Sequence, residues 1–145
     1  MLNSAQPPLA AKPMPNELLL ALQNLLEDRC TVSNAMRQRH GSDESSYDPM
    51  PPDVVVFAQN TDEVALIVGL CHHYAVPVIP YGAGSSLEGH LLALEGGVSL
   101  DLSQMNQVVA VHQQDLTATV QAGVTRKQLN LEIKDSGLFF AIDPG

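Results

Sequence analysis

Pro80-Tyr81-Gly82-Ala83-Gly84-Ser85-Ser86-Leu87-Glu88-Gly89-His90 follows a short apolar run, Val78-Ile79, and holds three glycines within eight residues. Glycine tolerates positive φ and has no Cβ, so successive N–H groups of such a loop can converge on an anion, while Ser85 and Ser86 add hydroxyl donors. Phosphate or pyrophosphate is the guest such a cradle suits. Neither familiar nucleotide motif has its spacing. The dinucleotide fingerprint G-x-G-x-x-G needs its third glycine where Leu87 stands, and Gly89 arrives two residues late. Asp101, about twenty residues on, imitates the ribose-binding acid of that fold, but without the fingerprint it specifies nothing. Gly84 and Gly89 do have the interval of the P-loop, yet His90 and Leu91 replace the lysine and hydroxyl that hold phosphate and magnesium. Nucleoside triphosphate hydrolysis is therefore disfavoured. Taken by itself, the loop can also be read as a wide surface turn with no ligand.

Upstream of the loop, Val54-Val55-Val56-Phe57 is a continuous apolar run, as expected of a strand covered on both faces and paired in parallel. Asn60 caps the next element, Glu63 stands where a capping box puts it, and Asp62 and Glu63 suit the positive end of a helix. Val64, Ile67, Val68, Cys71 and Tyr74 then recur at helical spacing. With Val78-Ile79 as a second strand, residues 54–80 read as a β-α-β unit that delivers the glycine loop at a strand's carboxyl end, where ligands of open α/β sheets bind. His72 and His73 are adjacent, so they cannot share a metal from one helical face and are read as favourable charge at the helix end.

Further upstream, residues 1–15 are expected to form a mobile arm. Asn16 offers an N-cap for a helix reaching about Arg29, with Leu18, Leu19, Leu22, Leu25 and Leu26 as its buried stripe. From Thr31 to Asp53 polar residues, Gly41 and the cluster Pro49, Pro51 and Pro52 forbid a long regular element. His40 and the acids near it are read as a solvated loop, because their spacing matches no strong metal motif.

Downstream, Val98, Leu100 and Leu102 alternate with Ser99, Asp101 and Ser103, the mark of a half-buried strand. Val108–Val111 and Leu116–Ala122 flank a turn at His112–Asp115 and predict a hairpin. Thr125-Arg126-Lys127-Gln128 is a capping box opening a helix that puts Leu129 and Ile133 on one side and stops near Gly137. Leu138-Phe139-Phe140 predicts another strand. Asp143-Pro144-Gly145 reads as a turn wanting a continuation, which suggests truncation.

A chain of 145 residues has room for one domain, which buries about 70% of its unfolded surface. The formal charge of −9 and an aromatic content of 4% argue against nucleic acid, which calls for basic stripes and stacking platforms. No run approaches the length of a membrane span, and the proline-rich start, with Lys12 as its basic residue, lacks an apolar signal core. A cytoplasmic location is the expectation, with peripheral attachment to a membrane as a variant. Cys30 and Cys71, far apart and outside any C-x-x-C, suggest neither zinc nor a disulfide, and Cys71 falls on an apolar stripe as a buried thiol.

The ordered series Pro80 to His90, Gly97-Val98-Ser99-Leu100-Asp101-Leu102-Ser103 with Met105-Asn106, Val120 to Asn130, Ser136 to Phe140 and Asp143-Pro144-Gly145 resembles the FAD-binding domain of the vanillyl-alcohol-oxidase and p-cresol-methylhydroxylase superfamily. Within it, the chain looks most like FAD-linked D-lactate dehydrogenases and the glycolate oxidase FAD subunit, over about Asp53 to Gly145. The resemblance implies an α+β fold: a first lobe with a small, mostly parallel sheet flanked by helices, plus the start of a second lobe. It divides the chain into the arm at 1–15, a helix and loop at 16–52, and an incomplete FAD-binding domain at 53–145.

By the same resemblance, Tyr81, Gly82, Ala83, Gly84, Ser85, Ser86, Leu87, Gly89 and His90 would wrap the FAD pyrophosphate, and Pro144 and Gly145 would approach the cofactor from a second loop. FAD is expected to be held noncovalently, although some superfamily members attach it through a histidine. The family's chemistry removes the α-hydrogen of a D-2-hydroxy acid as hydride, and electrons pass to cytochrome c or a quinone. The histidines and carboxylates that relatives use, often around a divalent metal, have no counterparts here, so no catalytic residue or metal ligand is assigned. Three or four charge-assisted amide bonds contribute about 5 to 10 kcal/mol gross, against about 4 to 15 kcal/mol for immobilising a large ligand. The chain as given is therefore expected to hold FAD weakly and to turn over no substrate. The alternatives are a glycolate oxidase FAD subunit, a non-catalytic FAD-binding subunit completed by another chain, and a structural domain without a ligand.

Overall fold

The computed structural model describes residues 13–142. The leucine stripe produces the first helix, α1 (Asn16–Leu26), which fully buries Leu18, Leu22 and Leu26. Each such side chain contributes about 1.5 to 3 kcal/mol by leaving water. Two expectations at its ends are corrected. Pro15, not Asn16, occupies the N-cap position and makes no side-chain cap. The helix also ends before Arg29, because Glu27 takes a φ of 53° and Glu27–Arg29 tightens into a 3-10 turn. The turn aims the chain into β1 (Cys30–Thr31).

The following polar region is not all loop. It contains α2 (Asn34–His40), seven residues with Arg37, Arg39 and His40 in the last turn. Arg37 Nε donates to the Pro52 carbonyl at 2.6 Å, tying the helix to the proline-rich segment. The helix escapes a periodicity reading because it is short and has no apolar stripe; tertiary contacts hold it.

β2 (Val54–Phe57) leads into α3 (Thr61–His73), whose Asn60 cap is as the sequence predicts, while Glu63 reaches one residue past the N-cap of a capping box. Asn60 Oδ1 accepts the Glu63 N–H at 2.9 Å, and Glu63 Oε2 accepts the Gln59 N–H at 2.9 Å. The same Glu63 carboxylate forms a bidentate pair with Arg29 at 2.6 and 2.9 Å, and the Arg29 hydrogen bond holds its carboxyl below the usual range. Ile67 and Cys71 are the buried members of the α3 stripe, Val64 and Tyr74 flank them, and Val68 is exposed.

β3 (Val78–Tyr81) and β4 (Val98–Asp101) complete a sheet of order β1-β2-β4-β3. β2 and β3 both run parallel to β4, whereas β1 runs antiparallel to β2. The β2-α3-β3 crossover thus leaves a gap, which β4 fills. This central place corrects the half-buried reading of β4: Ser99 and Asp101 are as enclosed as Val98 and Leu100. The rows Val54, Val98, Val78 and Val56, Leu100, Pro80 share one face of the sheet. Val54, Val56, Val98 and Leu100 pack there into the core with α1, Ile67 and Cys71. The row Phe57, Asp101, Tyr81 lies on the opposite face, at the carboxyl ends of the strands.

The hairpin appears as β5 (Val108–His112) and β6 (Thr117–Val120), paired antiparallel with a register shift near Val108. α4 (Arg126–Ile133) starts on Thr125, whose Oγ1 accepts the Gln128 N–H at 3.2 Å. The Gln128 side chain donates to the Asn106 carbonyl instead of closing the capping box. A 3-10 turn (Lys134–Ser136) follows, and the left-handed Gly137 ends the helical stretch as expected. The strand predicted at Leu138-Phe139-Phe140 does not form. Instead the Asn130 side chain imitates a strand partner, accepting the Phe140 N–H at 2.6 Å and donating to its carbonyl at 3.2 Å. The arm's first twelve residues and the turn at Asp143-Pro144-Gly145 lie outside the described residues.

Candidate functional site

Pro80 and Tyr81 end β3, so the loop proper begins at Gly82, beside the carboxyl end of β4. Tyr81 is buried, and its carbonyl accepts the Leu102 N–H at 2.9 Å. Beyond it, Gly82, Ala83, Ser85, Leu87 and His90 are exposed, and Gly84, Ser86 and Gly89 are half-buried. Gly84 has a φ of 75°, and a Cβ there would overlap the Tyr81 hydroxyl. Gly89 has a φ of 76°, and a Cβ there would come within 2.7 Å of the Tyr47 ring. Both positions combine a left-handed backbone with close approach, so both require glycine.

The amides of Gly82, Ala83 and Gly84 have no acceptor among the described residues. A Cβ built at Gly82 would meet nothing within 4 Å, so the backbone is open on that side. Unpaired, accessible N–H groups on a glycine turn are what a pyrophosphate would engage, and the residues present therefore fit the group the sequence implied. Ser86 Oγ lies 3.0 Å from His90 Nε2 and accepts the Glu88 N–H at 3.4 Å, which organises the second half of the loop around a serine–histidine contact.

Two residues read as solvated loop turn out to shape the site. Asp43 Oδ2 accepts the Gly89 N–H at 3.0 Å, and Oδ1 accepts the Ser45 N–H at 3.0 Å. The side-chain hydrogen bond with Ser45, followed by those of the backbone amides, holds its carboxyl below the ordinary carboxylate value. The Glu44 N–H donates to the Ser86 carbonyl at 3.1 Å, so the proline-rich segment is laced to the glycine loop at two points.

His40 is the other correction, being 1% exposed. It stands across the row Phe57, Asp101, Tyr81. Its Nε2 is 2.8 Å from Asp101 Oδ2, its Nδ1 is 2.9 Å from the Met36 carbonyl, and its ring lies 4.0 Å from the Tyr81 ring at 36°. Phe57 meets it edge-on at 6.0 Å. Burial pushes the Asp101 carboxyl up, but the hydrogen bonds from His40 and Ser103 outweigh that, and the group is held below its ordinary value. Asp101 is therefore a carboxylate. Because the Met36 carbonyl can only accept, Nδ1 is the donor there, which leaves Nε2 facing the carboxylate. The one signal in the sequence was Asp101 itself, a charge at the end of a strand whose burial would call for a partner. Nothing local named His40.

Among the described residues, no group of three His, Cys, Asp or Glu side chains is placed to hold a metal ion, and no helix is long and apolar enough to cross a membrane. Cys30 and Cys71 are both buried free thiols, with burial pushing each up to about 11.

A mixed α+β unit that carries an open glycine turn at the carboxyl edge of a mostly parallel sheet has the build of a nucleotide-binding domain. The particular family is the FAD binding domain family, whose model matches residues 52–145, and the chain belongs to it. It is 49% identical over 119 residues to a probable mitochondrial D-lactate dehydrogenase of Danio rerio, covering 82% of this chain and 24% of that protein. It is 37% identical over 112 residues to glycolate oxidase subunit GlcD of Bacillus subtilis, covering 77% of this chain and 24% of that one. The chain thus spans about a quarter of the length of the curated relatives it matches. Among solved structures it superposes on alkyldihydroxyacetonephosphate synthase with a TM-score of 0.80 at 27% identity, covering 93% of this chain and 27% of that one. It also superposes on p-cresol methylhydroxylase with a TM-score of 0.70 at 22% identity, covering 85% and 25% respectively; this likeness concerns the fold. The expected α+β fold of the p-cresol-methylhydroxylase type is therefore what the chain has. The Danio rerio protein's name carries the word mitochondrial, which lends no support to the cytoplasmic expectation.

Proposed function

We propose that this chain is the FAD-binding part of a flavin-dependent oxidoreductase that oxidises D-lactate, or a related D-2-hydroxy acid, to the 2-oxo acid. The observation that carries the reading is the set of unpaired amides at Gly82, Ala83 and Gly84, on a turn exposed at Gly82 and Ala83 at the sheet's carboxyl edge, in a chain of this family. These amides, with the hydroxyls of Ser85 and Ser86, bind the pyrophosphate noncovalently. Tyr81 anchors the start of the loop, Leu87, Gly89 and His90 close it, and Pro144 and Gly145 supply a second approach. When bound, FAD supplies the hydride acceptor of the reaction. The residues of this chain hold and orient it, and no catalytic residue is assigned among them. Cytochrome c or a quinone is the proposed electron acceptor; the word cytochrome in the name of the Arabidopsis thaliana relative supports a cytochrome. The 37% identity to the glycolate oxidase subunit keeps glycolate as the second substrate reading.

The test is a fluorescence titration of the purified chain with FAD, with inorganic pyrophosphate, ADP and riboflavin as competitors. Half-saturation is expected at about 10 μM or weaker, equivalent to about 7 kcal/mol or less. ADP and pyrophosphate should compete, and riboflavin should not. Competition by riboflavin alone would remove the loop from the reading. Stoichiometric flavin after purification, with D-lactate-dependent dye reduction, would refute the weak, inactive chain.

A further inference from the structure

The imidazole of His40 and the carboxylate of Asp101 form a buried pair directly beneath the cofactor loop, yet neither belongs to the loop nor reaches solvent. Buried ion pairs seldom stabilise more than a well-packed apolar pair of the same volume, so their use calls for a role in fixing geometry. Here both ends of the pair are fully engaged. His40 is pinned through Nδ1 to its own helix at Met36 and through Nε2 to β4, and Asp101 Oδ1 also accepts the Ser103 N–H at 2.7 Å. The imidazole can therefore neither rotate nor withdraw without breaking a hydrogen bond. Its face carries the ring of Tyr81 at 4.0 Å. The far end of the same tyrosine is where the loop folds back: a Cβ on Gly84 would overlap the Tyr81 hydroxyl and come within 2.9 Å of the adjoining ring carbon. The turn at Gly84 thus rests on Tyr81, which rests on His40.

We propose that His40 and Asp101 are a positioning pair for the cofactor loop, holding Tyr81 as the platform over which the turn at Gly84 presents its amides. The inference rests on the loop being the pyrophosphate site, but it concerns the loop's shape before any ligand arrives. A rigid platform matters here because amides that must be ordered on binding add their entropy cost to the cofactor's own.

The experiment is ¹⁵N relaxation on the 145-residue chain, with backbone order parameters read at Gly82–Leu87 and at β4 for the parent, Tyr81→Phe, Tyr81→Leu and His40→Gln, followed by FAD titration of each. In the parent and in Tyr81→Phe, which keeps the ring, the loop is expected to hold order parameters of about 0.8; in Tyr81→Leu and His40→Gln they should fall below about 0.6 while β4 stays unchanged. FAD half-saturation should weaken about tenfold in the same two variants. Folded Tyr81→Leu protein whose loop is as ordered as the parent's would overturn the proposal. That variant tests the platform, and Asp101→Asn, which keeps the His40 ring, tests the pair even if His40→Gln does not fold: loop order unchanged in folded Asp101→Asn or His40→Gln would also overturn the proposal. A parent chain that binds no FAD, with loop order lost in the two variants, would sink the cofactor reading and leave the positioning role standing.

Discussion

At the scale of single residues, Asp101 shows how burial and partnership compete. Enclosure in β4 raises its pKa, and the donors from His40 and Ser103 lower it further than burial raises it, so the folded value lies below the ordinary 3.8. A carboxyl with a depressed folded value contributes stability that is complete above the unfolded value and is lost as pH falls through the folded one. Asp101→Asn should therefore be less stable than the parent at neutral pH, and the gap should close below about pH 4, read from urea midpoints across the acid range. A gap that stays constant with pH would mean that the Asp101 carboxyl titrates alike in the folded and unfolded chain, and one that widens as pH falls would mean that it is protonated in the folded chain. Asp43 and Glu63 are depressed too and share the parent's acid loss, which is why the difference between the two proteins is the informative quantity. Residue by residue, the turn itself was legible from its glycines, two of which, Gly84 and Gly89, take a positive φ. Asp43 and His40 were not, because the hydrogen bond from the Gly89 N–H to Asp43 spans 46 positions and the one between His40 and Asp101 spans 61.

At the scale of elements, those with local signals were legible and those held by tertiary contacts were not. α3 announces itself through Asn60, Glu63 and a spaced apolar stripe, and the cap bond at 2.9 Å is present. Asn60→Ala should cost about 1 kcal/mol, seen as a lower urea midpoint with an unchanged slope. Glu63 also braces Arg29, and Arg29 Nη1 donates to the Phe57 carbonyl at 3.1 Å, so one cap ties three elements together. β4 misled because alternation is a valid sign of one exposed face only at a sheet's surface; in the central place, the polar alternates are buried with the rest. The segment after Gly137 has strand-forming residues, but a strand needs a neighbour. Phe140 finds the Asn130 amide instead, while Phe139 stays 76% exposed.

Over the whole molecule the core is uneven. The four-stranded sheet is enclosed by α1 and α3 on one face and by His40 of α2 at its carboxyl edge. By contrast, every residue of β6 is exposed, and Val109, Leu116, Leu131 and Phe139 show large apolar surfaces. An apolar groove of about 560 Å³ runs between the hairpin, α4 and residues 137–140. Amide exchange should follow this division: protection in β2, β4 and α3 is expected to exceed that in β5, β6 and α4 by at least about tenfold, since regions with few buried apolar contacts open first. Equal protection throughout would show that the hairpin half folds as firmly as the sheet. The sequence by itself determined the glycine loop and the α3 crossover, because these depend on backbone freedom and periodicity within a few residues, and the order of its motifs carried the resemblance to an FAD-binding domain. Only the tertiary structure decided that β4 lies between β2 and β3, that Asp43 laces the linker to Gly89, and that a buried His40–Asp101 pair underlies Tyr81 and the turn at Gly84. Those depend on which distant segments share the limited space against one sheet, and no local pattern carries that choice.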